Sequence, residues 1–594
     1  MLNYFLLSLF QAVLFAAVSC PVYALPTLSN KRKKQFGDKE TCLVVWGVSV
    51  FIAFLLALWI NYTYLPVLQW WGFEGVWTET FFFSGLALIV SFLNAAGEEG
   101  YVLKYSAIPL IITLIAPVIA AFQSMEMFHA GKYAKRLPVE IVSDSVFNRD
   151  VAVIDVKKMI TVDAELAQKV AEDVLGENTG IGSKVEIGKM TIQQISGSFT
   201  INGNRKLTFN NDLIWVAPLE HRSFWKWCSN DVTPGYVIVD ATDVNVRYLV
   251  TELNGKPLQL RYLESAFFKD DIERHIKTNG YQHKGLNDHC FEIDGNGTPF
   301  WVLSSYEQTI GFCGEESEGP ITVNAETGEI KHYTIENAPA WIDRIQPQSF
   351  VEEQIRQWGE YQQGWWNSTG FSKQENVLLP TEGTTLVYSN GKSYWYTGIQ
   401  SASADKATNG FMLVDTRTKA ARFYRKSGFN EEEARNIANG QAEAAAARYK
   451  ASFPVLYNVR GIPTYFMTYK DESKNIQGYC FVASTNRQAV GCDKLKTVAI
   501  QKYLSSLQAG QHDRPLDSMV KSETLSGTIR DITLEEGIYY ILLQEKAGYE
   551  FTGKSINFPE LKWSQKGNKV KVTFELGEEK VVPLNSFDNI EFEI

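Results

Sequence analysis

The 594-residue sequence contains few of the side chains, and none of the motifs, on which common enzyme chemistries depend. It has seven histidines and seven cysteines, with no HExxH zinc motif, no glycine-rich phosphate loop followed by lysine, and no GxSxG turn. His283, His289 and Cys290 come nearest to metal-ligand spacing, but zinc needs three or four converging ligands and no fourth ligand follows. We therefore expect no catalytic residues, cofactor or metal, and a non-enzymatic protein.

Basic residues are also fewer than acidic residues. Lysine and arginine total 57 against 67 aspartates and glutamates, which gives a net charge of -10. Binding to nucleic-acid phosphates requires a basic face, so this balance argues against duplex DNA as a main partner. The length and the 45% hydrophobic content are sufficient for three or more compact units.

Long apolar runs are confined to the first 125 residues, where four occur, at 5–24, 43–60, 81–96 and 108–122. About 20 helical residues cross a hydrocarbon core of about 30 Å. The first two runs are long enough for that crossing, and the last two are short. We expect residues 1–130 to form a transmembrane region.

The location of the remaining chain depends on the first apolar run. Residues 31–34 (KRKK) follow this run and no basic residue precedes it. The positive-inside rule then keeps the run as a helix with an external N-terminus, and four crossings place the large domain outside the cytoplasm. Val22-Tyr23-Ala24 also fits a signal-peptide cleavage site. Cleavage there would leave three crossings and a cytoplasmic large domain.

One pattern recurs four times between residues 207 and 495, as an aromatic-rich strand, a polar crossing and a second strand that a glycine opens. The aligned aromatic residues are Trp215, Trp301, Trp395 and Phe466, the glycines are Gly235, Gly319, Gly410 and Gly478, and the residues five positions later are Asp240, Asn324, Asp415 and Ala483. An Asp or Asn followed by turn residues predicts a hairpin.

A stretch with helical spacing of apolar residues precedes each hairpin. These stretches begin at Asp163, Leu260, Ser349 and Glu431. Each repeat is therefore predicted to be a helix packed on a small antiparallel sheet, which is an α+β arrangement.

This helix-then-hairpin unit resembles the PepSY module, a small extracytoplasmic domain that also occurs as a propeptide-type regulator of proteases. Residues 132–510 resemble a family of bacterial membrane-anchored proteins to which no active site is assigned. The resemblance is carried by GTPFWV, ITVNAETGEIKHYTIENAPAWIDRI, GWWNSTG, GFMLVDTRTKAARFY and GIPTYFMTYKDE. It implies tandem PepSY-like units at 131–256, 257–345, 346–428 and 429–510, and it supplies no catalytic residue.

A different pattern follows this array. After a polar linker at 511–523, residues 524–594 contain short strands without helical periodicity, which favours a small β-barrel of the OB type. Tyr539 and Tyr540 are candidates for stacking on bases or sugars, and the alternative is that they belong to the barrel core and rim. The predicted fold class is thus α+β: transmembrane helices, tandem PepSY-like units and a C-terminal barrel.

Five cysteines lie beyond the apolar region, at Cys228, Cys290, Cys313, Cys480 and Cys492. Cys480 and Cys492 flank a predicted three-residue turn at 485–487, so they would lie opposite each other in a hairpin. Cys290 and Cys313 lie in strands of the second repeat and are a second candidate pair. Two disulfides favour an oxidising compartment, and the alternative is five reduced cysteines.

Trp365 and Trp366, between glycine and polar residues, are candidates for docking a partner, although packing on a neighbouring repeat explains them equally well. The sequence favours a multi-pass protein of a bacterial inner membrane that acts as an extracytoplasmic scaffold and binds a partner protein or another copy of itself. The alternatives are a regulator of an envelope protease and a barrel that binds single-stranded nucleic acid or glycan.

Overall fold

The described residues form a mixed α+β chain with apolar helices first, followed by four main sheets and a closed barrel. It divides into two compact units, Met1–Leu507 and Gln508–Ile594. A computed structural model describes residues 2–24, 39–69, 76–93, 104, 106–107, 111, 115, 118–143, 146–203, 205–369, 374–381, 383–402, 407–441, 444, 447–509, 522–535, 537–553, 555, 558–575 and 581–591.

The described part of the N-terminal region contains the apolar helices α1 (Leu2–Ala24), α2 (Lys39–Tyr64) and α3 (Val76–Leu93). Within the described residues, Leu2–Cys20 and Leu43–Tyr64 are long and apolar enough to cross a membrane, and Trp77–Leu93 is a shorter apolar stretch. The fourth predicted run, at 108–122, lies largely outside the described residues.

Polar side chains connect these apolar helices. Asn61 near the end of α2 donates to Gln11 Oε1 at 2.8 Å and to Ser8 Oγ at 3.0 Å, both near the start of α1. At the opposite end, Trp46 Nε1 donates to Ser19 Oγ at 3.0 Å. The two helices are therefore antiparallel, because the start of α1 lies beside the end of α2.

After α4 (Glu126–Tyr133) and β1 (Val139–Ser143), the first sheet has seven strands in the order β6-β5-β4-β3-β7-β8, with β2 paired to β4. Helix α5 (Ala164–Gly176) packs on it and is N-capped by Asp163, whose Oδ1 accepts from Leu166 N at 3.0 Å. The strands are β2 (Val185–Ile187), β3 (Thr191–Ile201), β4 (Arg205–His221), β5 (Tyr236–Asp240), β6 (Arg247–Val250), β7 (Glu252–Leu253) and β8 (Lys256–Pro257).

The second sheet has four antiparallel strands in the order β12-β11-β10-β9. Its helix is shorter than the sequence predicted, because α6 (Ile272–Ile276) and a π-helical turn at Lys277–Tyr281 begin only after the N-cap Asp271. Upstream, Leu260 bonds in an extended bridge with Thr233 instead. The strands are β9 (Gly285–Ile293), β10 (Pro299–Ile310), β11 (Cys313–Asn324) and β12 (Ile330–His332).

The third sheet follows α7 (Gln348–Glu360) and has the order β1-β18-β17-β15-β13, with β14 paired to β15. The early strand β1 joins it in parallel with β18, and β16 pairs separately with β19. The strands are β13 (Leu378–Pro380), β14 (Thr385–Ser389), β15 (Lys392–Ser401), β16 (Ala407–Thr408), β17 (Gly410–Asp415), β18 (Ala421–Arg425) and β19 (Gly428–Phe429).

The fourth sheet has five strands, in the order β20-β22-β23-β24 with β21 paired to β22. The helix predicted from Glu431 ends at Asn439, followed by Gly440, so α8 (Glu431–Asn439) is shorter than expected. The strands are β20 (Lys450–Ala451), β21 (Val455–Val459), β22 (Ile462–Lys470), β23 (Ile476–Ala483) and β24 (Val490–Asp493), and α9 (Lys496–Ala509) follows.

One aromatic side chain in each sheet bonds the chain segment that leads toward its helix. Trp215 Nε1 donates to Val162 O at 2.7 Å, Trp301 Nε1 to Tyr262 O at 2.9 Å, Trp395 Nε1 to Gln346 O at 2.9 Å, and Tyr465 Oη to Phe429 O at 3.1 Å. The strand register also makes these four residues equivalent, because they lie opposite Val239, Val323, Val414 and Val482. The fourth aligned residue is therefore Tyr465, and the choice of Phe466 was wrong by one position.

Replacing Trp395 with phenylalanine tests this bond. The change keeps the ring but leaves the Gln346 carbonyl without its donor beside a side chain that is 3% exposed. We expect a loss of about 1–3 kcal/mol in the free energy of unfolding, seen as a lower melting midpoint in far-UV circular dichroism. Trp225→Phe is the control, since Trp225 is 77% exposed and should leave the midpoint unchanged. Equal midpoints for both variants would show that the bond contributes little.

The repeated glycines lie where the backbone of the following segment approaches them closely. A Cβ on Gly235 would lie 1.9 Å from Val250 O, and one on Gly319 would lie 2.0 Å from Tyr333 O. Both glycines also have left-handed φ values, +148° and +146°. Gly410 approaches Tyr424 O in the same way. The glycine of the repeat is thus required by this contact between backbones.

The sheets stack in two pairs. Val216 and Ile238, on the face of the first sheet opposite α5, share a core with Trp301 and Leu303 of the second sheet. Tyr396 and Leu413 of the third sheet share a core with Tyr465 and Met467 of the fourth, and the Tyr396 and Tyr465 hydroxyls are 3.1 Å apart. In each pair, the earlier sheet uses the face that points away from its own helix. This face packs on the face of the later sheet that carries the aromatic residue of the repeat.

The unit Gln508–Ile594 contains a barrel closed in the strand order β25-β26-β27-β29-β28. Its core includes Ile541, Phe551, Val570 and Phe574, all fully buried, and Leu561 from the turn Pro559–Lys562. The strands are β25 (Ser522–Glu535), β26 (Ile538–Leu543), β27 (Glu550–Gly553), β28 (Lys569–Glu575) and β29 (Val581–Asn589).

Candidate functional site

Helix α6 and the turn that follows it are attached to the end of α2 by several polar contacts. Lys277 Nζ donates to Leu65 O at 2.5 Å, and Leu68 N donates to Gln282 O at 2.8 Å. The Arg274 guanidinium lies 4.2 Å from the ring centre of Tyr62. Lys277 is 4% exposed and also pairs with Glu273 at 2.7 Å, so its charge is neutralised at the contact.

A second attachment joins the hairpin between β10 and β11 to the segment that follows the fourth apolar run. Phe312 N donates to Ser124 Oγ at 2.6 Å, and Tyr133 Oη donates to Ser124 O at 2.7 Å. The hairpin tip therefore meets the chain directly before α4. The two attachments hold the α+β body to the apolar helices at two separate positions in the sequence.

Ionic contacts extend the second attachment to α7. Arg356 pairs with Glu126 at 2.7 Å, and Tyr361 Oη donates to the same carboxylate. Burial opposes ionisation of Glu126, but the bonds from Tyr361 and Arg356 prevail and lower its pKa. Arg136 is 9% exposed and bonds Gln357 at 2.9 Å and Glu316 at 3.1 Å. The charge of Arg136 is thus used in bonds within the α+β body.

A cluster of ionisable side chains is buried between the second sheet and its neighbours. Arg344 Nη2 lies 3.1 Å from Cys290 Sγ, and Gln194 N donates to Asp343. Within the described residues, neither oxygen of Glu292 accepts a hydrogen bond, and the Tyr388 hydroxyl also has no partner. Burial raises the pKa of Glu292 to about 8 and that of Asp343 to about 7. Glu292 is therefore held as a neutral acid near neutral pH.

A cavity of about 250 Å³ lies beside the first sheet. Its lining includes the apolar side chains of Ile181 and Leu258 and the buried side chains of His221 and Thr233. His221 Nε2 and Thr233 Oγ1 have no hydrogen-bond partner among the described residues, and burial lowers the pKa of His221. The imidazole is therefore neutral near neutral pH, and the cavity offers space for a small, partly polar molecule.

The structure pairs two of the four candidate disulfide cysteines. Cys480 and Cys492 lie opposite each other on β23 and β24 and are joined by a disulfide. Cys290 and Cys313 are free thiols, contrary to the proposed second pair. Their partners on β10 are Val302 and Ile310, eight residues apart along one strand, which is too far for a bond.

The two docking tryptophans have different environments. Trp365 packs against the cluster of Ala130, Tyr133 and Ile310, whereas Trp366 is 68% exposed. Their ring centres are 5.1 Å apart in an edge-on arrangement. Trp365 therefore fixes the short helix Trp365–Ser368 beside α4, and Trp366 presents its indole to solvent.

The barrel tyrosines do not form a common surface. Tyr539 packs against the barrel core, and Tyr540 is the next residue on β26, so its side chain points to the opposite face of the strand. Stacking one ligand on both rings would require a different strand geometry. Tyr540 alone faces away from the core.

No family model, no curated protein and no solved structure matches the chain. No group of three or more potential metal ligands occurs in the part of the chain that the structure describes. The attachments at Leu65 and Ser124 and the cluster around Glu292 were not predicted from the sequence. The one available signal was Asp343-Arg344 between hydrophobic residues in APAWIDRIQ, where charges need partners.

Proposed function

We propose that this protein is a non-enzymatic, multi-pass component of a bacterial inner membrane that serves as an extracytoplasmic scaffold. In this proposal its α+β body consists of PepSY-like units, its C-terminal barrel is of the OB type, and it binds a partner protein or a second copy. The observation that carries the proposal is the double attachment of the body to the membrane helices, at Leu65 and Ser124. Such a mounting holds a large body at a fixed position above a membrane.

The direction of the helices supports an external body. The body contacts the end of α2, and the start of α1 lies beside that end through Ser8, Gln11 and Asn61. The opposite helix ends, Ala24 and Lys39, flank the basic residues 31–34. The positive-inside rule assigns those ends to the cytoplasm, and the body therefore to the other side. The disulfide between Cys480 and Cys492 agrees with an oxidising compartment.

Trp366 is the candidate point of partner contact. It is the exposed member of a pair whose other ring is packed beside α4. A large side chain held on a fixed base loses little conformational entropy on binding, which suits an interface anchor. Regulation of an envelope protease is the second proposal, and it rests on the resemblance of the repeats to PepSY propeptides.

Photo-crosslinking in living cells tests the proposal. A benzoylphenylalanine in place of Trp366 should give a discrete product with one partner or with a second copy, whereas the same residue at the exposed Lys392 should not. A hydrolase in the product would support the regulator instead. Absence of any product at position 366, with normal membrane insertion, would contradict the scaffold.

External protease should digest the body in sealed spheroplasts, and protection until lysis would contradict the external location.

A further inference from the structure

A group of aromatic side chains lies on the surface between the first and second sheets. We call Phe224, Trp225, Trp227, Phe267 and Phe268 the aromatic patch. The ring centres of Phe224 and Phe267 are 5.0 Å apart, and those of Trp227 and Phe268 are 5.6 Å apart. Trp225 is 77% exposed, Phe268 is 50% exposed and Phe267 is 37% exposed. The rings thus contact one another and still present a large apolar surface to the surroundings.

The patch has the composition of a membrane-interface segment. The exposed Lys226 and Lys269 lie within its two stretches, FWKW and FFKD. Phenylalanine and tryptophan with interspersed lysine are typical of chain that lies at the boundary between headgroups and acyl chains. Phe268 has a φ of +54°, which is strained for a bulky residue and which the fold nevertheless maintains.

Helix α6 connects the patch to the end of α2. Along the exit of α2, Tyr62 meets Arg274, Leu65 meets Lys277 and Leu68 meets Gln282, so the two segments run in parallel. Phe267 and Phe268 precede Arg274 by six or seven residues, so the patch directly precedes the segment that contacts α2.

We infer that the aromatic patch inserts into the interfacial layer of the leaflet on the side of the body. The occupant of this surface is lipid, because the patch continues an attachment that already ends on a membrane helix. The inference rests on the membrane anchoring of the proposed function and does not depend on any partner protein. The body is then held by two chain attachments and by one lipid contact.

Cys228 provides a native labelling site because it is an exposed free thiol directly after Trp227. The full chain with Cys20→Ala, Cys42→Ala, Cys290→Ala and Cys313→Ser keeps this thiol and the disulfide. It is labelled with an environment-sensitive fluorophore and placed in nanodiscs of phosphatidylethanolamine and phosphatidylglycerol. The control carries Cys228→Ser and Glu472→Cys, a position in an exposed turn of the fourth sheet.

Lipids with a nitroxide at the headgroup or upper acyl chain should quench the Cys228 label at least about threefold more than the control label. Adding Trp225→Ser and Phe268→Ser should reduce that quenching to the control value. Equal quenching at both positions would overturn the inference. Protection of the label from a soluble quencher without quenching by lipid would also overturn it, because a protein surface would then cover the patch.

A second measurement uses the wild-type chain, in case the cysteine replacements disturb folding. A phosphatidylcholine with a photoreactive diazirine in its upper acyl chain should modify the peptides that contain Trp225 and Phe268, and not the peptide that contains Glu472. Absence of modification in the two patch peptides would overturn the inference. Nanodiscs expose both leaflets to the same buffer, so neither result depends on the sidedness or the partner of the proposed function.

Discussion

Gly319→Ala is expected to destabilise the second sheet by about 3 kcal/mol or more. The new Cβ would lie 2.0 Å from the Tyr333 carbonyl oxygen, whereas real contacts of this kind are longer than 3 Å. The φ of +146° adds a second cost, because alanine avoids that region. Relief would require the segment directly after β12, which carries Tyr333, to move away from β11.

The effect is measured by the far-UV circular dichroism melt of the full chain and by the rate of proteolysis within residues 257–345. Gly176→Ala is the matched control, because nothing lies within 4 Å of its added Cβ at the end of α5. That variant should be neutral or slightly stabilising. If both variants melt alike, the close approach at Gly319 does not determine the fold of the sheet.

Glu292→Gln is expected to change how stability depends on pH. Glu292 is fully buried and its pKa is about 8, compared with 4.5 in an unfolded chain. Between these values the unfolded chain has released the proton and the folded chain has retained it, so stability falls as pH rises from about 4.5 to about 8. Above the folded pKa no further loss is expected from this group.

Glutamine cannot release a proton, so the variant lacks the fall in stability with rising pH that Glu292 causes in the wild type. The free energy of unfolding of the variant should exceed that of the wild type by an amount that grows to a few kcal/mol between about pH 5 and about pH 8. Asp343, whose pKa is about 7, contributes to the dependence of the free energy of unfolding on pH in both proteins.

Urea unfolding at several pH values measures this difference. Glu307→Gln, which removes an exposed carboxylate on β10, is the matched control for the loss of one negative charge. Parallel curves for Glu292→Gln and wild type would show that Glu292 does not hold its proton in the folded protein.

The sequence predicted much of the repeated architecture because the determinants are local. The helix at Ala164–Gly176 follows from its apolar spacing and the Asp163 cap, and the turn after Asp240 follows from its bonds to Thr242 N and Asp243 N. The stretch from Leu260 was misread because its backbone bonds to distant strands, which spacing does not reveal.

The alignment error at Phe466 has a different cause. On a strand with both faces buried, the sequence does not distinguish Tyr465 from Phe466, whereas the bond to Phe429 O and the pairing with Val482 do. Contacts such as Lys277 with Leu65 join residues more than two hundred positions apart. Pairs of that kind are determined by the assembled fold, so no local pattern could indicate them.

The stacking of the sheets determines which segments of the chain can be gained or lost. Tyr396 and Leu413 are buried because the fourth sheet covers them, and Val216 and Ile238 are buried because the second sheet does. Removing one sheet would therefore expose the core of its neighbour. Duplication or deletion during evolution is therefore expected to preserve folding when it includes one stacked pair, either the first and second repeats or the third and fourth.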